Sequence, residues 1–139
     1  MDSNKMCGQK TVMIIDDEAN MRNTLKRLIE EFFDHVNVIE CDQSDRAVAL
    51  LMRNTPDLVL LDLIMPGKNG LQILKDIKET DSVSLKKIPI IMMTGIGNRE
   101  LNNRARKMGA VDYITKPFNE NVFLVKIRKY IGPLKSMRQ

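Results

Sequence analysis

Five residues able to handle a cation or a phosphate stand at the ends of short apolar runs. Asp16 and Asp17 follow Val12–Ile15, and Asp62 closes Leu58–Leu61. Thr94 follows Ile88–Met93, and Lys116 comes just after Val111–Ile114. The remaining run, Val36–Ile39, leads into Glu40 and Cys41. If these runs are neighbouring strands, one edge collects three carboxylates, a hydroxyl and an ammonium. Carboxylates at close range repel, and their ionised forms are costly without a cation. Mg2+ suits such an oxygen-only site, because it keeps several of its waters. An aspartate ionised at neutral pH needs no base to act as a nucleophile. Lysine, threonine and a bound cation can then share the charge on three phosphoryl oxygens.

Each residue also has a plainer reading. Asp16, Asp17 and Glu18 precede a helical segment, where the macrodipole favours acids. Thr94 lies near a helix start with Gly95 and Asn98, as an N-cap does. Lysines are usually exposed. Asp62 resists such a reading, since a buried strand calls for another Val or Leu at that point. The coincidence of all five at one edge favours a single site.

The elements that position them alternate. Between the apolar runs lie amphipathic segments with helical spacing. Met21, Leu25, Leu28, Ile29 and Phe32 share one face, and Ala47, Val48 and Leu51 follow Ser44, which is placed to cap a helix. Leu71, Leu74 and Ile77 form the third stripe. Leu101, Ala105 and Met108 form a thin fourth, and Phe123, Ile127, Tyr130 and Ile131 a fifth. Five strands alternating with five helices predict a doubly wound α/β fold with a parallel sheet. In such folds ligands sit beyond the carboxyl ends of the strands, where the five residues are expected. One domain is expected over 11–131, with loose segments at 1–10 and 132–139.

Composition narrows the function. The chain has 139 residues and a net charge of +4. Residues 11–131 carry 18 Lys and Arg against 17 Asp and Glu, so the basic excess belongs mostly to the ends. No basic stripe or aromatic platform for nucleic acid is evident, with no Trp and only two Tyr and four Phe. Two cysteines, Cys7 and Cys41, make no disulfide framework, so a reducing, cytoplasmic compartment is expected. No apolar stretch reaches the length of a signal-peptide core or a membrane span. Gly95-Ile96-Gly97 begins a dinucleotide fingerprint, but Glu100 takes the third glycine's place, so no nucleotide site is expected. His35, the single histidine, reads as a surface residue.

The ordered motifs resemble the receiver domain of bacterial two-component response regulators. They are Val12-Met-Ile-Ile-Asp16-Asp17-Glu18, Pro56-Asp-Leu-Val-Leu-Leu-Asp62-Leu-Ile64-Met65-Pro66 with Gly70, Met93-Thr94-Gly95 and Tyr113-Ile-Thr-Lys116-Pro117-Phe118. The resemblance covers about residues 11–131. It implies a flavodoxin-like sheet in the order 2-1-3-4-5. It implies that Asp62 accepts a phosphoryl group from a sensor histidine kinase or phosphotransfer protein. Asp16, Asp17, Asp62 and the backbone carbonyl of Ile64 would hold Mg2+, and Thr94 and Lys116 would contact the phosphoryl oxygens. Thr94 and Tyr113 would be switch residues, and the Lys116–Pro117 bond would be cis. The fourth helix, fifth strand and fifth helix would form the signalling surface, toward a protein target or a second copy. Ile64 and Ile96 would flank the path of the hydrolytic water.

Two alternatives share the fold or the chemistry. A phosphohydrolase of the haloacid-dehalogenase type wants a second aspartate two residues after the nucleophile, where this chain has Ile64. A docking module that is never phosphorylated usually lacks one of the acidic or lysine positions, and none is missing here. The expectation is therefore a signalling phosphoacceptor, not an enzyme acting on other substrates. With about eight residues beyond the last helix, it is either a receiver acting alone or a longer regulator cut here.

Overall fold

The computed structural model describes residues 8–135. The elements in chain order are β1 (Lys10–Ile15), α1 (Ala19–Phe32), β2 (Val36–Cys41), α2 (Ala47–Asn54), β3 (Leu58–Asp62), α3 (Gly70–Glu79), α4 (Val83–Lys86), β4 (Ile90–Gly95), α5 (Arg99–Lys107), β5 (Asp112–Lys116) and α6 (Glu120–Ile131). All sheet pairings are parallel, in the order β2-β1-β3-β4-β5. This is the expected doubly wound sheet.

Alternation along the strands sorts the core into two layers. Met13, Ile15, Val59, Leu61, Ile90 and Met92 pack with Leu51, Leu74 and Ala105 of α2, α3 and α5. Val12, Ile14, Leu58, Leu60, Met93 and Ile114 pack with Leu25, Ile29, Phe123 and Ile127 of α1 and α6. Asp16, Asp62 and Lys116 continue the second parity. The sheet therefore delivers them beyond the same face.

Several boundaries differ from the sequence reading. β1 begins at Lys10, inside the segment expected to be loose. The rest of that expectation, for residues 1–7 and 136–139, lies outside the described residues. β4 starts two residues late because Pro89 has no N–H to enter the ladder; its carbonyl instead accepts from Val59 N. β4 and β5 also run further, since Thr94 pairs with Thr115 and Gly95 with Lys116. A sixth helix, α4, was not expected. Its single turn is capped by Ser82, whose hydroxyl accepts from Leu85 N, and anchored by buried Leu85. The helices expected as fourth and fifth are thus α5 and α6. Ser44 does not cap α2: it opens a 3-10 turn over Ser44–Arg46, and its hydroxyl points elsewhere.

Candidate functional site

The carboxylates meet where the register puts them. Ile15 pairs with Leu61, so Asp16 and Asp62 each stand one residue beyond the last β1–β3 rung, while Asp62 still pairs with Met93 of β4. Ligand oxygens of Asp16, Asp17 and Asp62 lie within 4.8 Å of one another. Asp16 and Asp62 are buried and Asp17 is exposed. Asp16 Oδ1 accepts from Glu18 N at 2.9 Å, which turns the chain out of β1. Arg22 braces the same corner, with Nη1 donating to the Asp16 carbonyl at 2.8 Å and Nε to Glu40 Oε1 at 3.0 Å.

Lys116 reaches in from the end of β5. Its Nζ donates to Asp16 Oδ2 and to Asp62 Oδ1, each at 3.1 Å. Ile64 N also approaches Asp62 Oδ1, at 3.4 Å. Both bonds to the Asp62 carboxylate thus fall on Oδ1. The Lys116–Pro117 peptide bond is cis.

Burial pushes the Asp62 carboxyl up, to about 6, with Asp16 adding to the rise and Lys116 opposing it. Burial works to lower the Lys116 ammonium, but Asp62 and Asp16 outweigh it and its pKa is raised. Three carboxylates face one ammonium, a formal excess of two negative charges that one divalent cation would balance. The all-oxygen donor set, its spacing and its partial burial fit Mg2+.

Thr94 is the penultimate residue of the neighbouring strand β4, buried, and its Oγ1 has no hydrogen-bond partner. A buried hydroxyl left alone costs about 1–3 kcal/mol, so a site that keeps one has a use for it. Among the described residues the other such atom is Asn102 Oδ1, in the first turn of α5. Ile64 and Ile96 are both exposed, at 59% and 79%, in the loops after β3 and β4. Cys41 is a packed residue whose thiol is pushed up chiefly by burial, and His35 is exposed.

Tyr113 is half-buried on β5 between two cations, Arg106 at 4.9 Å and Lys126 at 5.5 Å from its ring centre. Beside it, Asp112 Oδ1 accepts from Tyr113 N, Arg106 Nη2 and Lys126 Nζ at 2.8, 2.9 and 3.1 Å. That junction ties α5, β5 and α6 together. Spacing along the chain gives no sign of it, nor of the Arg22 brace.

The family model for the response regulator receiver domain matches residues 12–128. The chain belongs to that family. As a receiver domain it is a signalling module of response regulators. It is 39% identical over 111 residues to the chemotaxis protein CheY of Halobacterium salinarum, covering 80% of this chain and 88% of that protein. It is 31% identical over 128 residues to the phosphate regulon transcriptional regulatory protein PhoB of Escherichia coli, covering 92% of this chain but 54% of PhoB. The receiver thus spans about half the length of the transcriptional regulators it matches. The solved signal receiver domain of a DNA binding response regulator from Colwellia psychrerythraea superposes with a TM-score of 0.79 at 28% identity, covering 87% of this chain and 97% of that one. Among the described residues no helix is long and apolar enough to cross a membrane.

Proposed function

We propose that this receiver accepts a phosphoryl group on Asp62 from the phosphohistidine of a sensor kinase or phosphotransfer protein in the cytoplasm. The observation that carries this is the Asp62 carboxylate itself: buried at a strand end, tied on Oδ1 to Lys116, and beside Asp16 and Asp17. At pH 7 a carboxyl titrating near 6 is roughly nine-tenths ionised, so the nucleophile is ready. A P–O bond forms to Asp62 as the P–N bond of the phosphohistidine breaks and the imidazole leaves. Lys116 already lies at bonding distance from Asp62 and can follow the transferred oxygens. Thr94, with its unpartnered hydroxyl, can donate to a second. Asp16, Asp17, Asp62 and the Ile64 carbonyl would hold Mg2+, which when bound supplies countercharge to the transferring group.

The output surface in this reading is α5, β5 and α6. Gly95 and Gly97 flank Ile96 at the start of the β4–α5 loop, so movement of Thr94 toward a phosphoryl oxygen can be passed to α5. The target is a protein partner or a second copy of this chain. Intact-mass analysis after acetyl phosphate and Mg2+ tests the central claim. One phosphoryl adduct is expected, suppressed by EDTA and absent in Asp62→Asn. An adduct that survives in Asp62→Asn overturns the assignment.

A further inference from the structure

We propose that Ser44 is a positioning residue for the cation site, clamping the β3–α3 loop that carries the Ile64 carbonyl. This rests on the reading of that carbonyl as a Mg2+ ligand. Ser44 is buried at the start of its 3-10 turn, with no capping role. Its Oγ donates to the carbonyl of Pro66 and accepts from the amide of Lys68, both at 3.1 Å. One hydroxyl therefore uses both its donor and acceptor capacity on two backbone groups of a loop more than twenty residues away.

That loop needs an outside anchor. Ile64 is exposed, so its side chain gives little anchorage, and its amide makes only a long contact to Asp62 Oδ1, at 3.4 Å. The base of the loop is closed by Gly70 N donating to the Leu63 carbonyl at 2.8 Å. Gly70 has no room for a side chain there, since an added Cβ meets the Asp62 carbonyl oxygen at 2.5 Å. The far end is set by the capping box of α3, in which Asn69 and Gln72 exchange hydrogen bonds. Between these ends Met65 is buried in the core, and Pro66 and Lys68 are held by Ser44. Gly67, at φ +79, brings its backbone so close that an added Cβ meets Ser44 Oγ at 3.0 Å. The peptide at Ile64 lies between the pins at Leu63 and Met65–Lys68. Its carbonyl direction follows from them, and a cation ligand is useful only if its direction is fixed beforehand.

The test is Mg2+ binding by isothermal titration calorimetry, with amide exchange at Lys68 as a local check. In Ser44→Ala, exchange at Lys68 is expected to accelerate and the Mg2+ Kd to rise about fivefold, as loss of a loop-fixing hydrogen bond allows. The rate of modification by acetyl phosphate should show a higher Mg2+ midpoint with its plateau within about twofold of wild type. Gly67→Ala strains the same clamp and is expected to raise the Kd in the same direction; it carries the test if Ser44→Ala does not fold. A folded variant with faster Lys68 exchange and an unchanged Mg2+ Kd overturns the proposal, leaving Ser44 as a structural tie only. A wild type that binds Mg2+ but takes no phosphoryl group overturns the phosphoacceptor reading instead.

Discussion

Lys116 Nζ lies 3.1 Å from Asp62 Oδ1, although the two residues are 54 positions apart in the chain. The lysine opposes what burial and Asp16 do to that carboxyl. Removing it in Lys116→Ala leaves only the Ile64 amide to oppose those two effects, so the Asp62 pKa rises above about 6. The ionised nucleophile then requires a higher pH. The rate of adduct formation with acetyl phosphate, followed from pH 5.5 to 8.5 at fixed Mg2+, should move to higher pH. At pH 6 the loss should be about fivefold for the first pKa unit gained and approach about tenfold for each further one. A profile that scales down without moving means that Lys116 does not tune Asp62.

Asp62→Asn should stabilise the metal-free protein. A carboxyl carried from 3.8 in the unfolded chain to about 6 in the fold binds its proton more tightly when folded. Its contribution is fully present below about pH 4 and is lost as pH rises through 6. Above pH 6 the ionised group costs up to about 3 kcal/mol, less whatever Lys116 loses with its partner. Urea unfolding in EDTA should find Asp62→Asn the more stable protein at pH 7, with the advantage shrinking between pH 6 and 4. Mg2+ should narrow the gap at pH 7, because it stabilises the ionised form. A pH-independent difference would show that the titration of Asp62 is not its source.

The chemistry of this edge is legible in the sequence because Asp62 breaks an apolar run where a buried strand should continue. Parity along each strand then sends Asp16, Asp62 and Lys116 to one face. The strand ends are less legible: Thr94 and Thr115 pair in the ladder although neither continues an apolar run. A four-residue helix such as α4 is too short to show a period. Ser44 satisfies the pattern of a cap, but its two partners lie in a loop that only the fold brings near. Asn102 is buried on a helix whose visible stripe is Leu101, Ala105 and Met108. In each case the missing information is a tertiary neighbour, not a local preference.

Asp112 should matter to the output surface more than to the phosphoacceptor. Its Oδ1 gathers Arg106 of α5, Lys126 of α6 and its neighbour's amide. Arg106 is about half exposed, so the stability cost of Asp112→Ala should stay near ~1 kcal/mol. Adduct formation on Asp62 should be unchanged within about twofold. Arg106 already answers to Asp112, which leaves Arg99, Arg104 and Lys107 as the basic groups of α5 free of recorded ion pairs among the described residues. If the partner surface is acidic, Arg104→Glu should weaken its binding and flatten the salt dependence. Binding that ignores both salt and Arg104→Glu argues for an apolar contact, with exposed Val122 and Val125 of α6 as its candidates.

The phosphorylated form should be long-lived. Ile64 stands exposed in the loop that follows the phosphoacceptor strand, and Ile96 in the loop after its neighbour β4. Neither side chain can orient an attacking water by hydrogen bonding, which is what a polar residue does in related phosphoryl hydrolysis. One such hydrogen bond corresponds to about 1.4 kcal/mol, or roughly tenfold in rate. Because both side chains already face solvent, a polar replacement disturbs no packing, and its effect can be read directly on the reaction. Ile64→Asn and Ile96→Glu should each shorten the phosphoaspartate half-life, by up to about tenfold. The double variant should shorten it further if the two side chains act on different parts of the water's path. The half-life is followed by intact mass after removal of acetyl phosphate, at fixed Mg2+. Equal half-lives in wild type and all three variants would show that the cation's geometry sets the lifetime and the isoleucines do not.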